Sequence, residues 1–204
     1  MKRTFRTLPL FVAPLLILSA CAGSLLHVPG NLARPPRAVA PAAVATQVLV
    51  TDFSYAAAPD GVIGRDFDRV RPIVWKGEPG KAMADLVAAV LVERGVAAAR
   101  RGPNALGAEA PPVRISGVVR RFEVTARRAG ALDVVSEATV SLTVTAEGPG
   151  LSAPSEQTVT SSASLSDVFV TPDGLREVLT STANAVAEEV ARKLLEGKVV
   201  SPSP

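Results

Sequence analysis

An alternation of apolar and polar residues between Leu132 and Glu147 limits the folds open to this chain. Successive side chains of a β-strand point to opposite faces, so the alternation predicts a long strand with one buried and one solvated face. The buried face would consist of Val134, Ala138, Val140, Leu142, Val144 and Ala146. Such a strand is typical of an antiparallel sheet that covers its core on one side only.

Neighbouring segments predict the partners of this strand. Residues 113–125 and 156–165 have the composition of strands, and turn residues at 127–130 and 148–150 would connect them to it as hairpins. Within the first of these segments the apolar side changes face, which predicts a β-bulge near Gly117. Together the three segments predict three consecutive antiparallel strands.

Two more strands are predicted upstream. Residues 46–53 contain a β-branched run that is typical of a buried strand. Residues 67–75 predict a second, short strand, in which Pro72 favours an edge position or a break because proline lacks a backbone N–H.

Two helices are predicted where apolar residues recur at intervals of three and four. The first covers 79–94, with Pro79 in its first turn and Gly95 after its last. The second begins after a Thr171 cap and ends at Gly197. The order of elements therefore predicts an α+β fold: a mixed or mostly antiparallel sheet with two helices packed on one face.

The N-terminus has the parts of a bacterial lipoprotein signal peptide. A basic segment over residues 2–6 precedes an apolar stretch from Leu8 to Leu18, which is too short to span a hydrocarbon core. The run Leu18-Ser19-Ala20-Cys21 then places small residues before the only cysteine. This pattern predicts cleavage before Cys21 and lipidation of that residue; ordinary secretion and an uncleaved anchor are the alternatives. Ala22 in the next position resembles an outer-membrane address under the sorting rule of enteric bacteria.

This interpretation divides the chain into four parts. Arg34 and Arg37 are the only charges in the Ala/Pro-rich second part, where they offer a weak contact for anionic lipid headgroups. The parts are a signal peptide (1–20), a lipidated cysteine with a tether (21–45), one α+β domain (46–198) and a disordered tail (199–204).

Charge and residue types exclude several function classes. The chain has 22 Lys+Arg and 19 Asp+Glu, and cleavage removes three basic residues and no acidic ones, so the mature chain has a formal net charge of zero. The basic pI therefore gives no reason to expect nucleic acid binding. With His27 as the only histidine and Cys21 carrying lipid, zinc sites, histidine triads and thiol chemistry lack their parts. We expect no enzyme, no cofactor and no metal.

Several segments follow one another in a characteristic order and spacing: residues 48–53, 86–95 and 113–122, then Phe169-Val170-Thr171-Pro172 with the helix that follows. This order resembles the YajG-like family of uncharacterised bacterial lipoproteins. A broader resemblance exists to auxiliary lipoproteins of lipid-transporting ABC systems and to the nucleating domain of curli-type secretion lipoproteins. The resemblance implies an envelope lipoprotein without a known catalytic residue set.

Acidic residues offer the one enzymatic hypothesis. Asp52 could face a cleft together with Asp66 or Asp68, and paired carboxylates perform acid–base chemistry when their surroundings separate their pKa values. The alternative is an aspartate at a strand end that accepts hydrogen bonds from turn N–H groups.

Other candidate residues would contact a partner. Trp75 could anchor one, or it could cover the end of the core. The Thr/Ser face over 139–164 could accept an added strand, or it could be the solvated side of the sheet. Basic residues on one hairpin could bind lipid phosphate or an acidic partner, or they could form a solvated face; they are Arg114, Arg120, Arg121, Arg127 and Arg128.

The sequence thus predicts a non-enzymatic accessory or binding component of the bacterial envelope. It would be anchored to a membrane, with the outer membrane expected, and its domain would face the periplasm. Its partners would be the membrane and an envelope protein or lipid that the sequence does not identify. The alternatives are an auxiliary subunit of a lipid-transporting ABC system, a carboxylate-only hydrolase, and a subunit of a ring or pore.

Overall fold

The computed structural model describes residues 25–32, 34, 48–56, 60–101, 113–148, 151, 153–197 and 199–200. Over these residues the chain forms a nine-stranded mixed sheet and two helices, which confirms the α+β prediction. The helices are α1 (Pro79–Glu93) and α2 (Pro172–Glu196). The strands are β1 (Leu26–Pro29), β2 (Val48–Thr51), β3 (Ser54–Tyr55), β4 (Val62–Asp66), β5 (Arg71–Lys76), β6 (Ala98–Arg101), β7 (Val113–Arg128), β8 (Val134–Glu147) and β9 (Ser155–Asp167).

The long strands β7, β8 and β9 form the antiparallel meander that the alternating pattern predicts. Three short strands pair with the other edge of β7, all parallel to it and in chain order: β2, then β3, then β4. Beyond them, β5 pairs antiparallel with β4, and β1 and β6 pair parallel with β5 and β2. The antiparallel meander and the parallel short strands together make the sheet mixed.

The two helices lie next to each other and cover the apolar face of the sheet. All six apolar residues predicted for the buried face of β8 are in the core, and burying one such side chain contributes about 1.5–3 kcal/mol. The other face of β8 carries hydroxyl groups that pair across to β9, such as Thr139 with Ser162 (2.9 Å) and Ser141 with Thr160 (2.8 Å). This hydroxyl-lined face is the solvated side of the sheet.

The end of α1 and the start of α2 have the residues that were predicted to mark them. Gly95 has a φ of 82°, a left-handed conformation that glycine adopts without steric cost after the last turn of α1. The hydroxyl of Thr171 accepts a hydrogen bond from the N–H of Gly174 (3.0 Å) and so caps α2. Within the described part of the chain, neither helix is long and apolar enough to cross a membrane.

The bulge in β7 lies further along the strand than predicted. The register with β8 shifts between Val119 and Arg121, so Arg120 is the extra residue. Gly117 has a different role: a Cβ there would lie 3.0 Å from the ring of Phe53 and 3.0 Å from the carbonyl oxygen of Thr143. The glycine therefore makes room for Phe53 on the buried face.

The predicted tether over 21–45 is wrong for Leu26–Pro29, which forms β1 and pairs with β5. Leu26 and Val28 are buried while His27 and Pro29 are exposed, so this segment has its own short alternation. Strand β1 covers β5 from Ile73 onwards, so β5 as a whole is not an edge strand, but Pro72 itself lies at an uncovered position as predicted. Pairing with β1 starts at Ile73, one residue after the proline, so the missing N–H lies outside that ladder.

The predicted tail over 199–204 is wrong for its first two residues. Val199 and Val200 are buried, and the N–H of Val199 donates to the carbonyl oxygen of Leu194 (3.0 Å). The chain therefore folds back onto α2 after Gly197. Residues 201–204, the predicted signal peptide and Cys21 lie outside the described residues.

Candidate functional site

The three candidate carboxylates do not converge on one site. Asp52 directly follows β2, which pairs with β7 around Ile115, whereas Asp66 pairs with Ala126. Val50 pairs with Ile115, so Asp52 lies level with about residue 117 of β7. That position is nine residues, or about 30 Å, from Ala126 at about 3.3 Å per residue. Asp52 instead forms an ion pair with Arg100. A catalytic pair of Asp52 with Asp66 or Asp68 is therefore wrong.

Asp66 organises the turn between β4 and β5. Its carboxylate is fully buried and accepts hydrogen bonds from the guanidinium of Arg71 (2.7 and 3.1 Å). It also accepts the backbone N–H groups of Asp68 (3.1 Å) and Arg69 (3.3 Å). The alternative stated for these aspartates, a strand-end residue that satisfies turn N–H groups, thus describes Asp66.

The basic residues of the β7–β8 hairpin lie mostly beside acids. Arg127 pairs with Glu137 (2.8 Å), and Arg121 lies 3.6 Å from Glu123. Arg128 donates to both oxygens of Asp68 (2.9 and 3.1 Å). These hydrogen bonds from Arg128 hold the pKa of Asp68 below its usual value. Arg120, at the bulge, is exposed. The hairpin is therefore largely neutralised, and its contact with a lipid phosphate or an acidic partner stays a prediction.

Trp75 is a core residue. Its side chain is only 3% exposed, and its ring packs edge-on against Phe122 with the centroids 5.2 Å apart. Tyr55 packs against the same phenylalanine, with the centroids 6.3 Å apart. This placement corrects the hypothesis that Trp75 anchors a partner at the surface; it covers the core instead.

Arg34 forms an ion-pair network that the sequence did not predict. Its guanidinium binds Glu93 at the end of α1 and also reaches Asn184 (2.9 Å) and Glu188 (2.6 Å) on α2. The hydrogen bond to Glu93 is the largest contribution that raises the pKa of Arg34. Glu188 is shared with Arg94. Arg34 therefore ties the segment after β1 to both helices, which corrects its predicted contact with lipid headgroups; Arg37 lies outside the described residues.

A shallow cleft of about 470 Å³ lies between this segment and α1. Charged groups of both signs line it, including Lys81 and Asp85, so its walls are polar rather than suited to an acyl chain. Across the described residues, no three His, Cys, Asp or Glu side chains come together as a metal site would require. The cleft lining comprises Gly30, Asn31, Leu32, Arg34, Glu78, Lys81, Ala82, Asp85, Leu86 and Ala89.

The most unusual surface is at one end of the sheet, which we term the loop end. Among the described residues, six large apolar side chains are exposed, by 49–73%. They lie in the segment before β1, the β4–β5 turn, the β7–β8 turn and the loop after β9. We term this set the apolar rim: Leu25, Phe67, Val70, Leu132, Val168 and Phe169.

The strand register places all these segments together. Asp66 at the end of β4 pairs with Ala126, and the N–H of Phe67 donates to the carbonyl oxygen of Ala126 (2.8 Å), close to the β7–β8 turn. Val134 pairs with Asp167, so β9 ends beside the same turn. Leu26 pairs with Ile73 near the start of β5, so β1 begins at this end too. Sequence reasoning missed the rim because its residues are separated by up to 144 positions along the chain (Leu25 to Phe169).

The β4–β5 turn holds its two apolar side chains outwards at a conformational cost. Val70 has a φ of 52°, a left-handed conformation that is unfavourable for a β-branched residue. The hydrogen bonds of Asp66 and the ion pair between Asp68 and Arg128 hold this turn in place. The rim is therefore a built surface and not a frayed loop.

Comparisons with known proteins were informative about the fold. No protein-family model and no curated protein matches the chain. Among solved structures, the chain is similar to protein XCC0632 from Xanthomonas campestris, described under DUF330, with 17% identity and a TM-score of 0.55; the match covers 85% of this chain and 97% of that one. It is also similar to a minor lipoprotein from Acinetobacter baumannii, with 11% identity and a TM-score of 0.38 over 79% of this chain and 98% of that one. A PelC dodecamer from Paraburkholderia phytofirmans matches with 20% identity and a TM-score of 0.38 over 70% and 86%.

The first of these similarities establishes a shared fold, and its low identity transfers no activity. The resemblance to YajG-like lipoproteins stays a prediction, while the α+β fold is shared with a solved structure.

Proposed function

We propose that this protein is a bacterial envelope lipoprotein that acts as a non-enzymatic accessory or binding component. The observation that carries the proposal is the run Leu18-Ser19-Ala20-Cys21 after a short apolar stretch. In this proposal the sulfur of Cys21 forms a thioether with a diacylglyceryl group. Strand β1 begins five residues after Cys21, so the anchor would join the folded domain almost directly.

The arrangement of ionisable groups supports a binding role. The carboxylates of Asp66 and Asp68 are engaged by Arg71 and Arg128, where they organise a turn. Asp52 is engaged by Arg100 far from them. These groups therefore act as structural partners, which favours an accessory role over acid–base catalysis.

Ala22 after the cysteine supports the outer membrane as the address, with the domain in the periplasm. Two or three acyl chains hold a protein on a membrane almost permanently, because each buried methylene contributes about 0.8 kcal/mol. A protein anchored in this way meets its partners on or near one membrane surface. Its partner would be another envelope protein or a lipid.

Mass spectrometry of the protein purified from its native membrane tests the proposal. We expect residues 1–20 to be absent and the N-terminal peptide to carry a diacylglyceryl group on Cys21. Cys21→Ala should abolish the modification and prevent processing, whereas the nearby control Ser24→Ala should leave both unchanged. An unmodified Cys21 in the wild-type protein would overturn the proposal.

An auxiliary subunit of a lipid-transporting ABC system is the more specific form of this proposal. The broader resemblance of the chain to such auxiliary lipoproteins favours it. Cross-linking in intact cells followed by identification of the partner tests this form. Recovery of a permease of such a system would support it, and reproducible recovery of unrelated partners only would count against it.

A further inference from the structure

We infer that the loop end of the domain lies directly on the membrane, with the apolar rim inserted into the bilayer interface. This inference rests on the proposed function, because lipidation of Cys21 defines the membrane concerned. Besides the lipid anchor, the domain would thus have a second contact with the membrane and a defined orientation on it. The domain would therefore be docked on the bilayer and not suspended at a distance from it.

The distribution of exposed apolar side chains is the first argument. Single exposed apolar residues are normal on a soluble protein and need no explanation. Here, however, all six large ones found among the described residues lie on one end of the sheet, in four adjoining segments. A collected apolar surface of this kind indicates a place that is covered in the working protein.

The length of chain between anchor and rim identifies what covers it. Cys21 precedes Leu25 by four residues, and a fully extended chain spans at most about 3.6 Å per residue. Leu25, the first residue of the rim, therefore lies within about 14 Å of the lipidated residue, which is about twice the thickness of one headgroup layer. Strand β1 runs from the loop end towards the other end of the sheet, so the loop end is the part of the domain nearest to Cys21. We therefore commit to the bilayer as the occupant of the rim and not to a second copy of the chain.

The backbone of the β4–β5 turn is strained at one residue of the rim. Val70 keeps a left-handed φ although it is 65% exposed and therefore gains little from burial. Glycine or asparagine would adopt this conformation more easily. Strain that persists at an exposed apolar residue indicates that the side chain itself has a use.

The charges around the rim determine which lipids it requires. Three ion pairs lie beside the rim: Asp66 with Arg71, Asp68 with Arg128, and Glu137 with Arg127. The further charges of these segments balance in number, since Arg65 and Arg69 are matched by Asp133 and Asp167. Such pairs leave little net field for anionic headgroups. Insertion should therefore depend on apolar burial, and salt should change it little.

Docked in this orientation, the domain would have its long strands extending away from the bilayer. Strand β7 has 16 residues, which corresponds to about 50 Å at 3.3 Å per residue. The start of β2 and the end of α2 would then be the parts furthest from the membrane. A partner protein would find these parts, and the hydroxyl-lined face of β8 and β9, accessible.

Site-specific depth measurements test the inference on the full-length lipidated protein. Cys21 carries lipid in that protein, so a single new cysteine is the only thiol that reacts with an environment-sensitive NBD label. Phe67→Cys, Leu132→Cys and Phe169→Cys place the label on the rim. Ala89→Cys on α1 and Thr160→Cys on β9 are matched exposed controls. Each protein is reconstituted into phosphatidylethanolamine–phosphatidylglycerol vesicles with and without doxyl-labelled lipid.

We expect a blue shift and doxyl quenching at the three rim positions, and neither at the two controls. Labels on the rim that stay in water, with Cys21 lipidated, would overturn the inference and leave the proposed function intact. A blue shift without doxyl quenching would place the rim in a protein interface and would also overturn it. Mass spectrometry of the same samples detects the remaining case: an unmodified Cys21 overturns the proposed function and, with it, the premise of docking.

Discussion

Among the described residues, apolar side chains beside the strands are exposed at one end of the sheet and buried at the other. At the loop end, the side chains of the apolar rim are about half exposed or more. At the other end, Val48, Val96, Val199 and Val200 are at most 8% exposed, because α2 ends there and the chain folds back over it. Composition does not distinguish the two ends, since both have apolar residues in or beside their loops. The segment after α2 folds back and covers apolar residues at one end, which we term the closed end, whereas no described segment covers the apolar rim at the loop end.

The largest expected effect comes from a steric clash between β4 and β7 near the loop end. A Cβ at Gly64 would lie 1.6 Å from the carbonyl oxygen of Val124, so Gly64→Ala must push β4 away from β7. We expect the free energy of unfolding to fall by about 3 kcal/mol, measured by urea denaturation. Gly130→Ala is the control at the same end: its Cβ would meet Asp133 no closer than 3.5 Å, and it should change stability little. Equal effects of the two changes would contradict the tight β4–β7 contact.

The same truncation at both ends tests the comparison directly. Val48→Ala removes two methyl groups from a fully packed site and should cost about 2 kcal/mol of unfolding free energy. Val168→Ala removes the same groups from the rim and should cost less than about 0.5 kcal/mol. Thermal or urea unfolding of the two variants measures both values. Similar losses would mean that the rim is as well packed as the closed end.

A smaller effect, dependent on pH, is expected from the ion pairs near the closed end. Burial by itself raises the pKa of Glu188, but the hydrogen bonds from Arg34 and Arg94 outweigh it and hold the pKa below the usual 4.5. The stabilisation is therefore present above pH 4.5 and is lost as pH falls through the lower folded value. Glu188→Gln should cost about 1 kcal/mol near neutral pH, and the difference from wild type should shrink in acid.

Urea unfolding of both proteins across this pH range measures the effect. Glu156→Gln, an exposed carboxyl on β9, is the control and should differ little from wild type at any pH. A Glu188→Gln difference that stays constant down to strongly acidic pH would show that the carboxylate charge is not responsible.

The smallest effect has the opposite sign. Val70→Gly relieves a left-handed conformation at φ 52° and should stabilise the protein by about 0.5–1 kcal/mol. It also removes one side chain of the apolar rim, so a label at Phe169→Cys should be quenched less by doxyl lipid. Leu132→Gly is the control that removes a rim side chain without relieving strain. Destabilisation by Val70→Gly would show that the valine is packed after all.

The sequence predicted most of the elements because their signals are local. The alternation over Leu132–Glu147 marks β8, and the Thr171 cap marks the start of α2 with the correct residue. Where signals were weak, the predictions failed. Strand β1 has four residues among Ala and Pro, and two alternating apolar residues there are too few to indicate a strand. Likewise, the bulge at Arg120 was placed at Gly117, because a shift of face locates an extra residue only approximately.

The candidate sites were harder to predict because they depend on distance in space. The sequence suggested Asp52 with Asp66, yet the parallel register separates them along β7. For Trp75 it left open a surface anchor or a residue that covers the end of the core, and the burial of Trp75 against Phe122 decides for the core. Arg34 joins residues 59 and 154 positions away, Glu93 and Glu188, and no local pattern indicates such a partnership.

By itself, then, the sequence determined the periodic elements, and it predicts the lipid anchor and a mature chain of zero net charge. The elements and the anchor signal depend on residues close together in the chain, and the net charge depends on composition alone. Tertiary structure alone decided which strands pair in parallel, which charges meet and which end of the sheet stays open. These properties arise when segments up to 144 residues apart (Leu25 and Phe169) reach the same end of one sheet. The hydrophobic effect is non-directional, so burial alone does not select which segments become neighbours. The strand register and the turns of the chain select them.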